Sequence, residues 1–129
     1  MKKINLIVFA LLLMAGTGFA QAKKAPWPEM KAFHSYMSST FHPAEEGDLN
    51  PLKLKADSLY YAAKTWYAAK IPAGFIPEIT ESTLKALMIQ CNDIWAAVKD
   101  GASDAKLKDM ITKAHDIFHE VAEKCRKAD

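Results

Sequence analysis

Four histidines, His34, His42, His115 and His119, are the residues of this chain best suited to chemistry, and they fall near its beginning and its end with none between. A neutral imidazole is the commonest protein ligand for transition metals, and its charge changes within the physiological pH range. His115 and His119 stand four residues apart, the spacing that places two side chains on one helix face and lets both reach a single ion. Met37 follows His34 by one helical turn and offers a thioether of the kind that copper and haem iron accept. Beyond His42, the carboxylates of Glu45, Glu46 and Asp48 are close in sequence, and Glu46 is the expected oxygen ligand beside the imidazoles. The expected metal ligands are therefore His34, His42, His115, His119 and Glu46. The alternative for the acidic run is a solvated turn, and for Met30 and Met37 it is core filler.

Whether these groups meet depends on the elements that carry them. Pro28 suits an opening turn, and Trp27, Met30, Phe33, Met37 and Phe41 recur every three or four residues, which predicts a first helix stopped by Pro43. Asn50-Pro51 supplies a cap and a first-turn proline for a second helix reaching about Lys70, with Leu52, Ala56, Leu59, Ala63 and Trp66 inward. Thr80 or Ser82 is the expected cap of a third helix, which Asp100-Gly101 closes. Ser103 caps a fourth, whose Leu107, Met110, Ile111, Ala114, Phe118, Val121 and Cys125 share one apolar face. No alternating strand pattern competes. Short connections between long helices predict an all-α fold, an up-down-up-down antiparallel four-helix bundle. The link from Ile71 to Thr80 carries Ile71, Phe75, Ile76 and Ile79, too apolar for a free loop, and is expected to plug one end of the bundle.

A helical wheel then orients the imidazoles. At about 100° per residue, His34 and His42 lie about 60° and 140° to one side of Met37, while His115 and His119 lie about 100° and 140° from Ala114 in the same sense. Antiparallel neighbours bring same-sense flanks together. One bundle handedness therefore faces all four histidines across the seam between the first and last helices; the other turns the last pair toward the third helix. At about 1.5 Å per residue, His34 comes level with His119 and His42 with His115.

The start of the chain has the pattern of a cleaved export signal: Lys2 and Lys3, an apolar run from Ile4 to Leu13, and Gly18-Phe19-Ala20. That run is shorter than the roughly 20 residues needed to span a bilayer, which argues against a stable membrane anchor. Removing the first 20 of 129 residues leaves 109, residues 21–129, enough for one bundle domain. Of the 17 basic side chains Lys2 and Lys3 leave with the signal, so 15 then face 15 acidic ones, a balance that argues against nucleic acid as a partner. The expected compartment is periplasmic and oxidising. Even so, a hairpin turning near Ala102 sets Cys91 and Cys125 about 20 Å apart along the axis, beyond disulfide reach, and both are expected as small core residues. Neither a Gly-flanked nucleophilic serine nor an H-E-x-x-H motif occurs, so the expectation is a non-catalytic binding protein.

The export signal, the bundle of about this length, Met30 near the start of the mature chain and His119 within Ile117-Phe118-His119-Glu120 together resemble the periplasmic four-helix-bundle cytochromes over the whole mature chain. In b-type members a methionine of the first helix and a histidine of the last ligate non-covalent haem. The resemblance implies Met30 or Met37 with His119 in those roles, and Trp27, Phe33, Tyr60, Trp66 and Phe118 as walls of a porphyrin pocket. In cytochrome c-prime members the late histidine ends a C-x-x-C-H motif; here the stretch reads His115-Asp116-Ile117-Phe118-His119, with neither haem-attaching cysteine. Three readings follow: a bundle that holds copper, zinc, nickel or cobalt through its histidines, a haem b electron carrier, and a bundle with no prosthetic group. Four imidazoles exceed what one haem requires, which favours the metal. The sequence leaves a redox or chaperone protein partner, and a homodimer, open.

Overall fold

The computed structural model describes residues 27–128, and among them α1 (Pro28–Glu45), α2 (Asn50–Ala68), α3 (Pro77–Lys99) and α4 (Asp104–His119) pack in sequence, with α1 closing onto α4. This is the expected four-helix bundle. The export-signal reading of Met1–Ala20 lies outside the described residues. Among the described residues no helix is long and apolar enough to cross a membrane.

Local chemistry explains the helix starts. α1, α2 and α3 each carry a proline in the first turn, where the missing N–H would have had no intrahelical partner. α4 begins as predicted, with Ser103 Oγ accepting the Lys106 N–H at 3.2 Å. α3 starts earlier than expected, at Pro77, and Thr80 is no cap: it is buried and donates its hydroxyl to the Ile76 carbonyl. Asn50 opens α2 rather than preceding it, and Asp48 accepts the Asn50 N–H at 3.1 Å. α2 also ends at Ala68, two residues short of Lys70.

Pro43 does not stop α1. The helix runs on to Glu45, because proline removes only its own N–H while Ala44 is fully buried and holds the extra turn on the core. The N–H groups of Glu46 and Asp48 both bond the Pro43 carbonyl, at 3.0 and 2.9 Å, and Gly47, at φ +92°, reverses the chain. As a result, Glu45 is a helical residue one turn beyond His42.

The predicted inward stripes form the core, with Met37 within it, 1% exposed, and Met30 and Met110 half-buried at its edge. The plug is real but narrower than expected. Phe75 is buried, its ring 4.8 Å from Trp27, while Ile76 and Ile79 face outward. The Ile76 N–H bonds the Cys125 carbonyl and the Lys127 N–H bonds the Gly74 carbonyl, each at 2.8 Å, so the plug is stitched to the chain following α4. There α4 widens into a π-helical turn, Glu120–Lys124, which keeps Val121 and Cys125 inward. Cys91 and Cys125 are free and buried, as expected, and burial pushes the Cys91 thiol up to about 12, leaving it unreactive.

Candidate metal centre on the seam between the first and last helices

The α1–α4 seam holds all four histidines, the arrangement that one of the two handednesses allows. His34 lies flat on Phe118, ring centroids 5.3 Å apart at 11°, and His115 lies flat on Phe41 at 3.8 Å and 11°. Each helix thus lends the other a core aromatic as a shelf for an imidazole. The levels agree with the axial estimate to within a residue.

The closest approach is within α4. His115 Nε2 and His119 Nε2 are 3.2 Å apart. Two nitrogens bound at about 2.0–2.1 Å to one tetrahedral ion stand about 3.3 Å apart, so these two atoms already have the separation that shared coordination requires. On its far side, His119 Nδ1 is 3.1 Å from Glu123 Oε1. The tautomers that satisfy both contacts have the Nδ1–H of His119 donating to Glu123, and the Nε2–H of His115 donating to the free Nε2 lone pair of His119. A carboxylate behind an imidazole is the usual outer partner of a metal-ligating histidine, fixing the ring and raising its basicity. Glu123 belongs to the π-helical turn, a distortion frequent at functional sites.

Across the seam, His42 Nδ1 is 3.4 Å from Glu45 Oε1. Both groups act on His115, whose pKa is lowered first by loss of water on burial, then by the neighbouring His119, and slightly by His42, against opposing pulls from Asp116 and Glu45. His115 is therefore a neutral imidazole at neutral pH, the form that binds metals. It is half-buried, whereas His34, His42 and His119 are exposed.

Among the described residues no three His, Cys, Asp or Glu side chains already surround one point. The structure assembles a pair, His115 with His119, and holds His42 with Glu45 beside it. Glu46, the expected oxygen ligand, is the exposed C-cap of α1, and it is Glu45 that pairs with His42. His34 is on the seam but engages a phenyl ring. Met30 is half-buried and Met37 is core, while Trp27, Phe33, Trp66 and Phe118 pack on one another with centroids 5.4–6.0 Å apart. Tyr60 belongs to a separate cluster with Tyr61 and Trp95. Sequence reasoning missed Glu123 and, among the carboxylates it named beyond His42, preferred Glu46 to Glu45; the i, i+4 spacing from His119 and the i, i+3 spacing from His42 were the available signals. Compared with known protein families, curated proteins and solved structures, the chain finds no match.

Proposed function

We propose that the protein is an exported bundle that binds a divalent transition-metal ion through His115 and His119, with Glu123 as the carboxylate behind His119. His42 and Glu45 complete the shell from α1 by side-chain rotation. The observation that carries this reading is the 3.2 Å separation of the two Nε2 atoms, which one ion can bridge with little movement of either ring. Uptake requires the Nε2 proton of His115 to leave or move to Nδ1, so capture is favoured as pH rises and release as it falls. Zinc, copper, nickel and cobalt all accept such imidazoles, and geometry beyond the pair selects among them.

Calorimetric titration of the purified protein with zinc tests this. About one ion per chain is expected, and the His115→Ala, His119→Ala double variant should bind at least about a hundredfold more weakly. His34→Ala should leave uptake intact. Undiminished binding by the double variant overturns the reading.

A further inference from the structure

Two imidazoles of the seam are oriented alike. Nδ1 of His42 faces Glu45 Oε1 at 3.4 Å and Nδ1 of His119 faces Glu123 Oε1 at 3.1 Å, so each ring has a carboxylate behind it and keeps Nε2 for an ion. Their surroundings differ from those of His115. The ring of His115 lies against Phe41 and is half-buried, whereas the side chains of His42 and His119 are 67% and 46% exposed. An ion held by His115 and His119 therefore has an aromatic wall on its core side and, toward α1 and solvent, the His42–Glu45 arm. The ring of His42 is 5.7 Å from that of Phe41, at the rim of the same wall. Met37 and Cys125 are buried in the core and bring no sulfur to that rim. A structural zinc site encloses its ion with four protein ligands. Here the outermost ligand can swing away without disturbing the core, and an incoming donor meets the ion from solvent.

We propose that the protein hands its ion on: an acceptor rich in imidazole or thiolate donors displaces His42 first and draws the ion off the His115–His119 pair while still in contact with the bundle. This transfer role rests on the metal-binding reading above. The bond from the ion to His42 Nε2 breaks as the acceptor's first donor binds, and those to His119 and His115 break as further donors follow. His115 Nε2 then recovers its proton, and no electron is transferred. Thiolates and imidazoles together hold zinc more tightly than a solvent-edged imidazole set, so the exchange runs toward the acceptor. Release is assisted by the acceptor and does not wait for the ion to escape alone.

The test mixes the protein, loaded with equimolar zinc and its uptake verified by calorimetry, with increasing excess of a metal-free zinc-finger peptide carrying two cysteines and two histidines. Such a peptide folds only when zinc arrives, so stopped-flow circular dichroism times the transfer. The rate should rise in proportion to peptide concentration. His42→Ala, at an exposed position and with its own folding checked beforehand, should transfer zinc at least about tenfold faster at each concentration, because no protein ligand has to be displaced at the outer position. A rate independent of the peptide, or a His42→Ala protein no faster than the unsubstituted one, overturns the transfer role and leaves zinc binding standing. Absence of zinc uptake overturns both.

Discussion

The aromatic cluster inside the bundle and the imidazole seam beside it share residues but solve opposite problems. Inside, Phe33, Trp66 and Phe118 pack among themselves, and the indole N–H groups of Trp27 and Trp66 have no partner among the described residues. That region tolerates unmet polar atoms in return for close packing. At the seam, every described contact of His115 and His119 serves a ring nitrogen or a ring face. Buried rings give rigidity, and the outer faces of Phe41 and Phe118 position imidazoles at the edge of solvent. Phe118 belongs to both regions, stacked on His34 and edge-on to His119 at 5.6 Å.

Phe118→Ala should disturb both regions at once. Phe118 is 7% exposed, so the cavity should cost about 3 kcal/mol in denaturant unfolding and weaken zinc uptake as well. A stability loss with unchanged uptake would show that the seam does not lean on the core. Glu123→Gln should act the other way round. The side chain is exposed, so unfolding should hardly change, while the loss of the carboxylate behind His119 should reduce metal affinity about 10- to 100-fold by calorimetry.

The smallest expected effect is on pH. The folded His115 pKa is below its ordinary value of 6.5, so the folded chain resists a proton that the unfolded chain accepts. Its contribution to metal-free stability is complete above about pH 6.5, declines as pH falls through that value, and levels off below the lowered folded pKa. Unfolding midpoints measured with His115→Gln should show a shallower decline over that window. An unchanged slope would place the acid sensitivity elsewhere.

The bundle was legible because its signals are local and repeated. A 3.6-residue stripe from Phe33 to Phe41, or from Leu107 to Phe118, admits few alternatives, and Pro28, Pro51 and Ser103 mark three of the four starts, whereas the third is at Pro77 instead of the expected Thr80 or Ser82. The wheel put the histidines on same-sense flanks, since flank positions are fixed by period, but which neighbour those flanks meet depends on bundle handedness, which the period leaves open. What escaped depended on tertiary context. Burial of Ala44 overrode the proline signal at residue 43 and carried Glu45, instead of Glu46, to His42. The π-helical turn that holds Glu123 under His119 arises where α4 must satisfy both the core and the plug, through Val121, Cys125 and the bonds to Gly74 and Ile76. No window of sequence encodes that compromise.

The measurement that meets the central claim most directly is the zinc-edge X-ray absorption spectrum of the zinc-loaded protein. It should show nitrogen and oxygen neighbours at about 2.0–2.1 Å with imidazole scattering from at least two rings, and His119→Ala should remove part of that scattering. A shell without imidazole, or one that neither His115→Ala nor His119→Ala alters, would contradict the account.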